Sequence, residues 1–490
     1  MHASVYLQKS ASAPRAAWRP DRKARTAAIA QLWRGYATPR AGMPSGSNVA
    51  RLLQVSAKHL ALFALCLLPW AAQAGLDIQH WVLTNGARVY FVENHSLPML
   101  DVSVQFDAGS ARDPVGKSGL AGMTQHLLNL GAGNLSEQAI AERLADIGAQ
   151  QSGSVDDDRA SFSLRVLSDP AQRDTAVAIL GAMLSAPHFD ATILEREKAR
   201  AIAALRESET QPEFLVERAF SQTIFGNHPY GMTSSETSLS ALRREDLIAF
   251  HRHHYTTGNL TLTLMGDLNR AEAEKLVATV SAALPAGHAP APLPPVAELT
   301  ASSQQVIPHH ATQSHIRIGQ PGMTRDDPDY FPLLVGNYIL GGGGFDSRLT
   351  KAVRDQRGLS YSVHSYFSPM GQRGPFQIGL STRRDATHQA LQVVRDTLQN
   401  FLDQGPTEAE LTQAKNQLVG GFPLRLDSNK KIAQYLSVIA FYRLPLDWLD
   451  RYPVAVEKVN REDILRAFRS RVHPDRLATL IVGGDVATAR

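Results

Sequence analysis

Apolar and polar positions set out the elements in order. Two apolar runs within residues 79–93 flank Asn85-Gly86, the pair that most favours a two-residue hairpin turn, and residues 99–108 alternate with period two as a third strand. The period then lengthens. Leu120, Met123, Leu127 and Leu130 recur at helical spacing, which predicts one amphipathic helix through residues 118–133, closed by Gly131 and Gly133. Further helices are predicted at 137–147, 170–184, 191–209, 212–225 and 238–254, with strands at 160–167 and 259–265. Strands and helices mixed in this way predict an α+β fold, with helices covering one face of a mainly antiparallel sheet.

Five prolines among residues 285–295 cannot form a helix or a ladder, so this stretch reads as a linker. The chain on its C-terminal side repeats the chain on its N-terminal side. Arg244-Glu245-Asp246-Leu247 returns as Arg461-Glu462-Asp463-Ile464, and the same offset of 217 carries Gly266 onto Gly483. With an offset of 211, residues 120–133 fall on 331–344, so two glycine-rich helix ends coincide. The chain reads as two tandem homologous domains, 75–284 and 296–490, behind a leader of residues 1–74.

Composition is that of an ordinary soluble protein, 43% hydrophobic and 20% charged, but charge sets the leader apart. Residues 1–74 hold ten Lys or Arg against one acid, Asp21, a net +9. The whole chain carries +4, so residues 75–490 carry −5, which argues against a nucleic-acid partner. Lys58, the apolar run 60–72 and Ala72-Gln73-Ala74 before Gly75 form the three parts of a secretory signal peptide. Cleavage after Ala74 would give a periplasmic or secreted chain with no stable membrane anchor, since the run is too short to span a bilayer. Residues 1–42, rich in Arg, Ala and Ser, also have the composition of a mitochondrial presequence, and Met43 is an alternative start. The single cysteine, Cys66, lies in the apolar run, so the mature chain has no disulfide framework.

The candidate chemistry sits in the helix at 118–133. At Gly122, Gln125 and His126 it resembles the segment that carries H-x-x-E-H in the insulinase, pitrilysin and mitochondrial processing peptidase family of zinc metallopeptidases. There, two His one turn apart share a Zn²⁺ and the Glu between them activates the bound water. Here only His126 matches, since glycine has no ligand atom and glutamine is no base at neutral pH. The resemblance places a third ligand at the end of a Glu-x6-Glu pattern, which in this chain starts at Glu197 and ends at Ala204. A catalytic zinc needs three protein ligands, so the resemblance implies that this chain binds no metal.

The same resemblance, which covers residues 76–486 and includes the paired-domain plan, implies a second site. Arg354 and Tyr361 have the spacing of the family's Arg/Tyr motif, in which the domain opposite the zinc reaches bound substrate, and Ser347-Arg348-Leu349 and Gly358-Leu359 match around them. Gly341, Gly342, Gly343 and Gly344 are followed by no Lys-Ser or Lys-Thr, which excludes a phosphate cradle. They read as a helix exit with close backbone approach, and the resemblance adds a contact to substrate. His251, His253 and His254 read as a solvated helix end, and Asp156 to Asp158 as loop polarity. The implied function is that of a non-catalytic subunit acting on short or unfolded peptides beside a homologous partner that carries the intact H-x-x-E-H and its zinc. The alternative is a structural homologue with no part in proteolysis.

Overall fold

The hairpin of residues 79–93 forms as expected in the computed structural model, which describes residues 76–483 apart from residue 283. The leader expected over residues 1–74 and the cleavage expected after Ala74 lie outside the described residues. β1 (Gln79–Val82) turns back on β2 (Arg88–Glu93) with Val82 opposite Arg88. β3 (Met99–Phe106), β4 (Gln150–Val155), β5 (Ala160–Leu167) and β6 (Leu260–Gly266) complete a six-stranded sheet in the order β1-β2-β6-β3-β5-β4. All its pairs are antiparallel except β2 with β6. Alternation decides the faces. Ala160, Phe162, Leu164 and Val166 enter a core built with the helices Leu120–Leu127, Pro170–Ser185, Arg244–His254 and Arg270–Ala282, while Ser161, Ser163 and Arg165 lie on the other face.

β7 (Ser303–Ile307), β8 (Gln313–Pro321), β9 (Val363–Phe367), β10 (Pro375–Arg383) and β11 (Ala478–Val482) form a second sheet in the order β7-β11-β8-β10-β9. Strand for strand this is the order β2-β6-β3-β5-β4, with β7 and β11 as the parallel pair. The repeat legible in the sequence is therefore a repeat of topology, and β1 is an addition to the first lobe.

Each sheet would have a bare second face if the lobes stood apart. The helix Pro212–Phe225 lies across β8 and β11 of the second sheet, and the helix Asn429–Tyr442 lies across β6, β3 and β2 of the first. The offset of 217 superimposes these two helices end to end. Val216, Phe220 and Ile224 bury against Ala478, Leu480 and Val482, and the core under Leu436 and Ile439 takes in Tyr90, Val92 and Met265. With both faces covered, β6 is buried along its whole length.

Three expectations need correction. The helix beginning at Leu120 ends at Leu127, where the Asn129 and Leu130 N–H groups turn to the His126 and Leu127 carbonyls in a tighter turn that leads to Gly131 at φ +121°, and Leu130 packs against the core from that turn. The helix expected over 238–254 is two, Glu236–Ser240 and Arg244–His254, since the Asp246 carboxylate accepts the Arg243 N–H (2.8 Å) and starts a new one. The linker runs without helix or strand, as its prolines require, yet it is docked: the Ala291 carbonyl accepts from Arg112 (2.8 Å), His228 Nε2 lies 2.8 Å from the Pro294 carbonyl, and Val296 is buried.

Candidate functional site

The helix Leu120–Leu127 is held at its start by Asp113, whose carboxylate accepts the N–H groups of Gly119 and Ala121, both at 2.7 Å. Burial pushes this carboxyl up to about 6 in spite of those bonds. Along the helix, Gly122 is open: a Cβ placed on it would meet nothing within 4 Å. Gln125 is buried and pressed on β4, where a Cβ on Gly153 would come within 1.7 Å of its Nε2. Among the described residues that Nε2 has no hydrogen-bond partner.

His126 stands half-exposed with Nε2 3.1 Å from Glu197 Oε2. The buried Glu197 reaches it from the helix Ala191–Ser208, and its other oxygen, Oε1, accepts Arg196 Nε (2.6 Å) and Arg200 Nη1 (2.8 Å). Burial works against ionisation here, but the His126 and Arg196 bonds and the Arg200 charge outweigh it and hold the carboxyl below its usual range. Ala204, two turns further on, is exposed. Both oxygens of Glu197 are thus engaged by donors of this chain, and no ligand atom comes from 122 or 204. Among the described residues no three His, Cys, Asp or Glu side chains converge as a metal site, and these residues do not fit a zinc ion.

The second group gathers on the other lobe. Tyr338–Gly342 is a π-helical turn, and at Gly341 and Gly342 within it and Gly343 just after it a Cβ would fall 2.4 Å from Ser365 Oγ, 2.8 Å from Asn337 Nδ2 and 2.7 Å from the Tyr338 carbonyl, respectively. The close approach read from the sequence is present, and the run delivers Phe345 to the surface, 71% exposed. Arg354 rises from a second π-helical turn, Thr350–Asp355. Its guanidinium carbon lies 4.7 Å from the centre of the Phe345 ring and 5.1 Å from that of Tyr361, which is 85% exposed. The structure brings Arg354, Tyr361 and the end of the glycine run together. Among the described residues, no hydrogen bond, ion pair or ring contact joins this group to His126 or Glu197.

The sequence does not single out Phe345, because its nine-residue separation from Arg354 matches no helical or strand period. The polar runs also correct the sequence reading. His251 and His254 are buried, with ring nitrogens 2.8 Å from the Leu184 carbonyl and 3.2 Å from the Asp107 carbonyl, and burial pushes His254 down to about 4. Asp158 is buried between the lobes, accepting the hydroxyls of Tyr230 and Tyr442 and the N–H of Gly371 (2.8 Å).

Residues 88–238 match the family described as insulinase (peptidase family M16), and residues 241–418 match the peptidase M16 inactive domain. A solved peptidase M16 inactive domain from Pseudomonas fluorescens is 36% identical with a TM-score of 0.80, the match covering 84% of this chain and 98% of that one. A Helicobacter pylori protein named non-peptidase homolog YmxG is 27% identical over 404 residues, 80% of this chain and 91% of the relative. The periplasmic protease PqqL from Escherichia coli shares the fold at 15% identity and a TM-score of 0.71, with 83% of this chain matching 45% of that longer one.

Proposed function

This chain belongs to the insulinase (M16) family of peptidases, and we propose that it serves there as a non-catalytic subunit of a zinc endopeptidase, lending Arg354 and Tyr361 to a homologous partner that holds the metal. The observation that carries this reading is the contrast between the two sites. Two of the three positions that would ligate zinc, Gly122 and Ala204, carry no ligand atom, while Arg354 stands beside Tyr361 with no carboxylate paired to it among the described residues. Peptide hydrolysis builds negative charge on the carbonyl oxygen, and a guanidinium and a phenol are donors suited to that oxygen or to the peptide backbone beside it. The match to less than half of PqqL supports pairing, since a chain of that length has room for a second unit of this size. PqqL's periplasmic description, with the signal-peptide pattern ending at Ala74, supports export of this chain and a mature N-terminus at Gly75.

The test is to co-purify the tagged chain from the periplasmic fraction, identify and assay its companion for zinc, and compare the intact pair with one carrying Tyr361→Phe. The pair should form equally well, and its kcat/KM should fall by roughly tenfold or more, since one lost oxyanion donor typically costs on the order of 10² to 10³. The name non-peptidase homolog borne by the H. pylori relative favours a second reading, a structural homologue outside proteolysis. Under that reading no zinc-bearing companion is recovered, or Tyr361→Phe leaves turnover unchanged.

A further inference from the structure

Arg354 has an unusual setting for an exposed cation. Asp346 and Asp355 stand close to it in sequence, yet neither takes a bond from it. Its guanidinium is instead flanked by the rings of Phe345 and Tyr361, at 4.7 and 5.1 Å. Among the described residues no carboxylate or carbonyl accepts from its N–H groups, whereas the neighbouring Arg357 is engaged by the Ala352 carbonyl (2.9 Å) and by Gln356 (3.0 Å). Two large rings left 71% and 85% exposed are costly to keep on a surface unless something covers them.

With none of its N–H groups taken by an acceptor among the described residues, the Arg354 guanidinium keeps its fork of donors free beside the two rings. A carboxylate is planar and satisfies two of those N–H groups at once, while a peptide carbonyl satisfies one. Two rings within 4.7 and 5.1 Å also narrow the positions the side chain can take, which lowers the ordering cost that makes ordinary surface ion pairs weak.

We propose that Phe345, Arg354 and Tyr361 form a clamp for a peptide carboxylate, with Phe345 as the residue that positions the Arg354 fork. This rests on the reading of the chain as a peptide-binding subunit, and it adds the chemical class of the peptide: one bearing a free carboxylate beside an apolar residue that covers the exposed rings. Tyr361 then keeps its hydroxyl for the backbone, while Arg354 takes the carboxylate.

The test uses the isolated mature chain and four fluorescein-labelled ten-residue peptides of one sequence, read by anisotropy. They combine a free or amidated C-terminus with Glu or Gln at one internal position, so the two carboxylate sources are read separately. Binding should be at least about tenfold tighter for a peptide carrying the recognised carboxylate than for one lacking it, the ordinary worth of a charge-assisted pair. Phe345→Leu, which keeps apolar bulk but no ring face, should weaken that peptide by about tenfold and shrink the preference, and Phe345→Tyr should restore both. Equal binding of all four peptides, no binding by a chain whose thermal midpoint is normal, or a preference untouched by Phe345→Leu would each overturn the clamp. None of these measurements involves the partner. A carboxylate preference without partner activation leaves the clamp standing and sinks the subunit reading, and activation without the preference does the reverse.

Discussion

Gly122 and Ala204 lie where side chains can be put back. A Cβ on Gly122 meets nothing within 4 Å and Ala204 is exposed, so neither position blocks the start of a larger side chain. The triple variant Gly122→His, Gln125→Glu and Ala204→Glu should take up zinc measurably in a competition assay with a chelating dye, while the unaltered chain takes up none. Adding Arg200→Ala should tighten that binding, because it loosens the hold on Glu197, which competes for His126 Nε2. A second residue is strained without any gain visible in the structure. Arg443 ends its helix in the left-handed region at φ +54°, and the duplicated position is Gly226, also at +54°. Arg443→Gly should raise stability by up to about 1 kcal/mol, read by denaturant titration, with the unfolded chain's extra freedom offsetting part of the relief. At this scale the sequence is informative where chemistry comes in a motif, as at Gln125, Glu197 and Arg354. It is silent where a residue's role depends on a partner distant in the chain, as with Phe345 and with Asp158, whose neighbour Tyr442 arrives from the other lobe.

Among the elements, the first-lobe helices between residues 118 and 254 and the first-lobe strands of strong alternation are legible because a single buried face writes its period into the chain, whereas the helices of the second lobe are not read one by one. β4, Gln-Gln-Ser-Gly-Ser-Val, is not, since an edge strand with most of its residues exposed has no apolar face to display. The exchange of two helices is equally hidden, because a helix has the same pattern whichever sheet it covers. Its polar edge has a testable consequence. Glu213 and Glu217 on the helix Pro212–Phe225 both pair with the buried Arg317 of β8. The His315 bond (2.8 Å) and the Arg317 charge hold the Glu213 carboxyl, against its burial, at about 2 rather than 4.5. Elsewhere in the second lobe, burial alone would raise Glu410, but the Arg348 fork (2.7 and 2.8 Å) holds it too at about 2. Both pKa values are depressed, so their stabilisation is present above pH 4.5 and is lost as pH falls toward 2. The denaturation midpoint should therefore drop across that window. Glu410→Gln should be the less stable at neutral pH and lose less on acidification, and parallel curves for the two proteins would contradict the assignment.

For the whole molecule, duplication and exchange together mean that neither lobe is a finished object. A protease site placed at the exposed residues 300–302 and then cut should leave the halves together in one gel-filtration peak, because the crossed helices and the Asp158 contacts hold them, while either half made alone should be insoluble. The crossing also sets a timetable. The ribosome delivers the first sheet and its own helices early, but the helix that covers their free face, Asn429–Tyr442, comes only after β7 to β10 of the second sheet have been made. Until then Tyr90, Val92 and Met265 have nothing to bury against, and the growing chain must be kept from sticking to its neighbours. Nascent chains stalled before residue 429 should be digested throughout the first lobe by a protease that spares the same residues in the released protein.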